Sequence, residues 1–243
     1  MTIQKGTLLY EGKAKKIFET NEKDVLFVSY KDSATAFNGE KKAEIEGKGV
    51  LNNEISSLLF TKLNEQEIPT HFIERISPFE QLVKRVTIIP LEVVVRNVVA
   101  GSLSKRLGIE EGTPISKPVI EYYYKNDDLG DPLINKAHID LLELATVEEL
   151  EQIEDIAIKV NDILLKHFEE RGVKLIDFKL EFGVTDDGTI LLADEISPDT
   201  CRLWDAKTNE KLDKDVFRRD IGNITDAYTE ILKRLGGTNP CTK

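Results

Sequence analysis

The chain has 243 residues, with 33 Lys and Arg against 44 Asp and Glu and a formal net charge of −11. That length buries a sizeable core as one large domain or two small ones, and the negative charge excludes nucleic acid as the main partner, because neutralising phosphates needs a basic surface. No run approaches the ~18 apolar residues of a membrane helix, and residues 1–5 lack the apolar run of a signal peptide, so a cytosolic protein with no membrane partner is expected.

Strands are expected over residues 7–10, 14–19 and 25–30. The link YEGKAKK at 10–16 joins two of them. Gly12 lets backbone approach a ligand there, and Lys13, Lys15 and Lys16 neutralise one. It is not a Walker A loop, which needs GxxxxGK[ST] between a strand and a helix. A strand–glycine–strand clamp over a nucleotide is the functional reading, and a solvated turn is the plain one. A helix follows, with Val50, Leu51, Ile55, Leu58, Leu59 and Leu63 as its apolar stripe. Strand character returns over 71–86, with Pro78 as a candidate break.

Residues 1–86 are expected to form an N-terminal α+β lobe and 87–243 a second one, with a ligand cleft between them. No Gly/Ser-rich linker, repeat or low-complexity tract separates the two, so the boundary rests on a change of texture near 83–89. Residues 91–96, LEVVVR, read as a strand. VAGSLSKR at 99–106 then opens a short helix with Ser102 or Ser104 as N-cap. Free amides, a hydroxyl and the positive end of the helix dipole suit a phosphate, and Arg96 on the preceding strand offers a bidentate fork. An ordinary capped helix with exposed Lys105 and Arg106 is the alternative. Residues 127–138 are loop-rich. Thr146 with Glu149 makes a capping box, and the helix it opens stops at Gly172. Its stripe of Leu150, Ile153, Ala157, Val160, Leu164 and Phe168 is assigned to core alone.

Residues 175–196, LIDFKLEFGVTDDGTILLADEI, read as a β-hairpin with charges on an inner face. Ile176, Phe178, Leu180 and Phe182 alternate with Asp177, Lys179 and Glu181, a period of two. Asp187-Gly188 is the turn signal of a two-residue loop, and counting outward from it sets Glu181 opposite Asp194. Two carboxylates across a strand pair, roughly 4.5–5.5 Å apart at Cβ, call for a cation. Carboxylate oxygens completed by substrate phosphates describe a Mg²⁺ site. A solvated edge hairpin is the alternative, but the second arm, Ile190 to Ala193, is apolar as in a strand covered on both sides. The hairpin runs into SPDTCRLW at 197–204, a polar turn beside the only tryptophan, with Arg202 placed to meet an anion.

A final helix is expected over 213–235. Cys201 and Cys241 have no metal-ligand spacing, and neither a disulfide nor a cysteine nucleophile is expected. Residues 236–240 read as a frayed tail.

Together, an acidic metal hairpin and separate basic segments point to a phosphorylated substrate as well as ATP. The stretches that carry these features are also familiar in their order. IIPLEVVVRNVVAGS at 88–102 and LIDFKLEFG at 175–183 resemble the signature patterns of the SAICAR synthetase family of de novo purine synthesis. DEISPDTCRLW at 194–204 extends the likeness, and YEGKAKKIF at 10–18 is similar to the family's nucleotide-lid segment.

The resemblance covers essentially the whole chain. It implies a two-lobed α+β fold, ATP-grasp-like or kinase-like, with the active site in the cleft between lobes. It implies ATP-dependent joining of L-aspartate to the carboxylate of 4-carboxy-5-aminoimidazole ribonucleotide (CAIR), giving SAICAR, ADP and phosphate. By motif match Lys13, Ala14 and Lys15 lie at the ATP phosphates, and Val83, Lys84 and Ile88 belong to the hinge beside adenine. Glu181 and Asp194 hold Mg²⁺. Arg96, Ser102 and Arg202 bind the ribonucleotide, chiefly its phosphate, and Lys179 sits at its carboxylate. Lys125 is matched to the L-aspartate site, and Asp177 or Asp199 serves as base or orients the substrate. The family also suggests a homodimer. One departure stands at Asn38, where the family often has aspartate; an amide keeps a hydrogen bond there but no charge. Two rivals remain at this point: a kinase-like phosphotransferase, and a module that binds nucleotide without turnover.

Overall fold

The computed structural model describes residues 2–36 and 39–238, so Asn38 and Cys241 lie outside the described residues. The chain opens with β1 (Lys5–Glu11), β2 (Lys15–Thr20) and β3 (Val25–Tyr30), then a small ribbon of β4 (Ser33–Ala36) and β5 (Lys41–Glu44). Next come α1 (Lys48–Asn64), β6 (Phe72–Arg75) and β7 (Glu80–Lys84). The first sheet has the order β1-β2-β3-β7-β6. The stretch over 71–86 is thus two strands, turned at 76–79 around Pro78.

Between Lys84 and Thr87 the chain crosses to a second sheet, which begins with the long β8 (Thr87–Val98). There follow α2 (Gly101–Leu107), β9 (Pro114–Tyr124), β10 (Leu133–Ile134), α3 (Lys136–Leu141), α4 (Val147–Glu169), β11 (Val173–Val184), β12 (Ile190–Ala193), β13 (Cys201–Asp205), α5 (Asp215–Arg218) and α6 (Ile224–Arg234). The order is β10-β9-β8-β11-β12, with β13 also on β11.

Thr146 caps α4 through the expected box with Glu149, and all six predicted stripe residues are buried. They pack on β8, β11 and β12, where Val93, Val95, Leu180 and Leu192 are fully enclosed. Each such aliphatic side chain contributes about 1.5–3 kcal/mol. Leu51, Ile55, Leu59, Phe60 and Leu63 of α1 join this same core, beside Tyr228 and Ile231 of α6. Helix α1 therefore belongs to the packing of the second sheet although it lies between strands of the first.

α1 is also not the simple amphipathic helix its apolar stripe suggests. Lys48, Asn52, Asn53 and Ser56 are buried too, and Lys48, Asn52 and Ser56 recur every four residues, which sets them along one face. That face meets the segment after β12: Ser56 Oγ accepts from Ile196 N at 3.3 Å, and Lys48 Nζ pairs with Asp199.

Two further expectations are corrected. The helix expected over 213–235 is two helices, because Asn223 caps a new start by accepting from Thr225 N at 2.9 Å. Helix α2 has Ala100 as N-cap with no side-chain bond, neither Ser102 nor Ser104. Ala100 is extended and Gly101 turns at φ 53, so Ser102 is already inside the helix.

Candidate functional site

A cleft of about 760 Å³ opens where the two sheets meet. Its lining includes Gly12, Lys13, Ala14 and Lys15 from the β1–β2 link, Val83, Lys84, Val86 and Ile88 from the crossing, and Lys179 and Glu181 from β11. Asp194, Glu195, Asp199 and Lys214 close it from behind.

The acidic hairpin differs from its expected register by one residue. Glu181 faces Ala193, because the loop is three residues, 186–188, with Gly188 at φ 85. A three-residue loop with a left-handed glycine is the next most common hairpin closure after the two-residue turn. Asp194 falls just past the ladder and takes φ 58 itself. This rare conformation for a non-glycine residue leaves its carboxylate beside Glu181 at Lys179. Lys179 Nζ lies 3.1 Å from Glu92 Oε1 and 3.5 Å from Asp194 Oδ2, and it pairs closely with Glu181 Oε1. Lys125 Nζ reaches the same Glu181 oxygen at 3.0 Å. Lys15 pairs with Asp194 and lies 3.1 Å from Glu195 Oε1. Lys13 turns away to Asp127 at 2.8 Å.

These charges stabilise one another. Burial opposes the charge of Lys179, but Glu181 and Asp194 outweigh it and hold its ammonium well above the usual range. Burial likewise opposes Asp194, and Lys15 and Lys179 hold its carboxyl below the usual range. Oxygens of Glu181 and Asp194 thus converge on one cation position. Among the described residues no group of three or more His, Cys, Asp or Glu is arranged to hold a metal by itself.

Deeper in the cleft, Asp199 is fixed by Lys48 Nζ at 2.6 Å, by Lys214 Nζ at 3.4 Å and by the Tyr228 hydroxyl, which donates at 2.5 Å. Burial raises its pKa and the two lysines more than reverse that, so the carboxyl lies far below the usual range. Cys201 is buried, and burial pushes its thiol up, away from thiolate chemistry.

Beside the cleft, outside its lining, lies an arginine cluster. Arg96, 2% exposed, donates from Nη1 to Asp177 at 2.7 Å, from Nε to Glu121 at 2.7 Å and from Nη2 to Ser102 Oγ at 3.1 Å. Arg202 donates from Nη1 to both oxygens of Asp177, at 3.1 and 2.9 Å, and from Nε to Asp215 at 3.1 Å. Asp215 also holds Arg218, which lines the cleft, at 2.7 Å. A Cβ at Gly101 would sit 2.5 Å from Arg202 Nη2, so this glycine admits the guanidinium. Gly183 is constrained in the same way at the crossing, where an added Cβ would sit 2.5 Å from Val86 Cγ2.

All predicted site residues therefore fall into two adjoining groups. Lys13, Ala14, Lys15, Val83, Lys84, Ile88, Lys125, Lys179, Glu181, Asp194 and Asp199 line the cleft, and Arg96, Ser102, Asp177 and Arg202 form the cluster. Sequence reasoning missed Lys48, Glu92, Glu195 and Lys214. The four-residue spacing of Lys48, Asn52 and Ser56 was the available signal for the first of them.

A model of the SAICAR synthetase family matches residues 8–235. The chain belongs to the SAICAR synthetase family. It is accordingly an ATP-dependent ligase of purine biosynthesis. The phosphoribosylaminoimidazole-succinocarboxamide synthase of Bacillus mycoides (strain KBAB4) is 65% identical over 237 residues, 98% of this chain and 99% of that one. The crystal structure of the synthase from Ehrlichia chaffeensis superposes with a TM-score of 0.93 at 50% identity, covering 95% of this chain and 99% of the other. A SAICAR synthetase solved in complex with ADP gives 0.92 at 52% identity, covering 95% and 98%. The two-lobed α+β reading agrees with these SAICAR synthetase structures.

Proposed function

We propose that the cleft activates the carboxylate of CAIR with ATP and then joins L-aspartate to it through an acyl phosphate, releasing ADP and phosphate. The observation that carries this is Lys179, held by Glu92, Glu181 and Asp194 within reach of Lys15 and Lys125. Alternating lysines and carboxylates suit two anions that must be brought together. A carboxylate is a poor electrophile. Its oxygen attacks the γ-phosphorus and ADP leaves; the aspartate amine, as the free base, then attacks the carbonyl carbon, the C–O bond to phosphate breaks, and the amine's proton leaves with the phosphate as the amide forms.

The protein's part is to position and to neutralise. Lys13, Ala14 and Lys15 hold the ATP phosphates, while Val83, Lys84 and Ile88 flank adenine, a reading supported by the ADP bound to a 52% identical relative. Lys179 receives the CAIR carboxylate and Arg96, Ser102 and Arg202 its phosphate, with Lys125 toward aspartate. Asp177 has both oxygens occupied by arginines and Asp199 is held ionised by two lysines. Both therefore orient partners rather than take a proton from the amine. Glu181 and Asp194 would hold Mg²⁺: two hard carboxylates that converge on one cation, with substrate phosphates to complete the shell, suit that ion. Bound there, it would neutralise the transferring phosphoryl group.

The lobes divide at 86/87, and the enzyme works in the cytoplasm as a homodimer, without nucleic-acid or membrane partners. For the described residues, no helix is long and apolar enough to cross a membrane. The test is ADP release with ATP, Mg²⁺, CAIR and L-aspartate, omitting each in turn. The proposal expects ADP only with all four, one for one with succinocarboxamide product. A steady rate without aspartate would favour a phosphotransferase, and binding without any turnover a nucleotide-binding module.

A further inference from the structure

Lys13 reaches from one lobe to the other. Its Nζ lies 2.8 Å from Asp127 Oδ1, which ties the β1–β2 link of the first sheet to the turn at 126–131 between β9 and β10 of the second. Both residues line the cleft. The backbone beneath Lys13 is fixed in place. The Lys13 carbonyl accepts from Ser33 Oγ at 2.5 Å, the Ala14 carbonyl accepts from Lys31 N at 2.8 Å, and Gly12 N donates to Lys15 O at 2.8 Å. What can change partner is the long, flexible side chain.

The turn on the other side is braced without the Asp127 carboxylate. Asn126 N donates to Asp131 Oδ1 at 2.9 Å, Asp131 N donates to Asn126 O at 3.1 Å, and Gly130 at φ 72 and Asp131 at φ 48 take the left-handed backbone that closes the loop. The bond that the Asp127 side chain accepts comes instead from Lys13. This carboxylate, which its own turn does not need, sits on a lysine that lines a cleft rich in cations, where an external anion would otherwise sit. The two side chains are 49% and 68% exposed, so a ligand in the cleft reaches the pair. An exposed ion pair is weak, and the several charges of a polyphosphate outbid it.

We propose that Asp127 is a positioning residue that holds Lys13 as a strap between the lobes until the polyphosphate of a nucleotide takes its place and frees the turn at 126–131. The proposal rests on the reading of Lys13 as a nucleotide-phosphate ligand. In the exchange the ammonium passes from one anion to another, and the Asp127 carboxylate returns to water. Nucleotide affinity is therefore lowered only by the worth of an exposed pair, about two- to fivefold.

The experiment titrates ADP, with Mg²⁺ and without the other substrates, into the full-length wild type, Asp127→Asn and Asp128→Asn, and follows amide hydrogen exchange at Leu129, Gly130 and Asp131. Asp128 is exposed and does not line the cleft, so its substitution removes the same charge without touching the strap. Asp127→Asn should bind ADP about two- to fivefold more tightly, a gain that damage to the fold would not produce. Asp128→Asn should stay within about 1.5-fold of the wild type, because its charge is screened. ADP should speed exchange in the wild-type turn, whereas in Asp127→Asn exchange should be fast already and insensitive to ADP. Unchanged or weaker binding by Asp127→Asn, an equal gain in Asp128→Asn, or slower exchange of the wild-type turn with ADP would overturn the proposal and leave the nucleotide reading intact. A wild-type protein that binds no ADP would overturn both.

Discussion

Replacing Lys48 by methionine keeps the length of the side chain and removes the buried charge that faces Asp199. Lys48 and Asp199 are 1% and 5% exposed at their side chains, and the ion pair spans 2.6 Å. Removing one partner of such a pair costs about 3–5 kcal/mol, because the other charge is left buried. Asp199 keeps Lys214 at 3.4 Å and the Tyr228 hydroxyl at 2.5 Å, which places the cost at the lower end, about 3 kcal/mol. In a chain of this size each kcal/mol moves the melting midpoint by about 2–4 °C, so Lys48→Met should melt roughly 6–12 °C lower. Lys48→Met/Asp199→Asn should recover part of the loss, with a coupling of about 2 kcal/mol in the double-mutant cycle. Thermal and urea unfolding of the four proteins at pH 7 reads both quantities. A shift under about 2 °C for Lys48→Met, or strictly additive single effects, would refute the reasoning that this pair anchors α1 to the cleft floor.

Gly101→Ala should raise KM for CAIR by about tenfold or more, since a displacement approaching 1 Å at an anion fork is costly; an unchanged KM would mean that Arg202 does not hold that substrate. Glu181→Gln should lower kcat by roughly 10²–10³-fold, measured as ADP release. A nucleotide-binding module would lose only affinity. In acid, Asp194 and Asp199 have folded pKa values depressed below 3.8, with burial opposing and lysine charges prevailing. A depressed carboxyl contributes stability that is fully present above its unfolded pKa and is lost as pH falls through the folded one. Their contribution should therefore be constant from pH 5 to 8 and fall below about pH 4. Asp199→Asn should flatten that fall in acid-unfolding titrations, and an identical acid limb would contradict the assignment.

Much of the site was legible because it is written in local periodicity. The alternation around Asp177, Lys179 and Glu181, the glycine link at Gly12 and the capping box at Thr146 each depend on neighbours in sequence, and each element stands where it was expected. The hairpin register was not legible. Asp187-Gly188 serves a two-residue or a three-residue loop equally well, and only the packing of β12 chooses between them. The last helix was overextended because Asn223 is an N-cap only if the preceding turn closes. Strand β9 was missed since Pro118 and its charged neighbours disguise a strand flanked on both sides by partners. Lys48 and Glu195 gain meaning only from contacts with residues well over a hundred positions away.

The most direct test of the account follows an oxygen atom. CAIR carrying ¹⁸O in its carboxylate, turned over with ATP and L-aspartate, should deliver one labelled oxygen to each inorganic phosphate released, because that oxygen attacks the γ-phosphorus and leaves with it. Phosphate without the label, formed together with the succinocarboxamide product, would contradict activation of the carboxylate by phosphoryl transfer in this cleft.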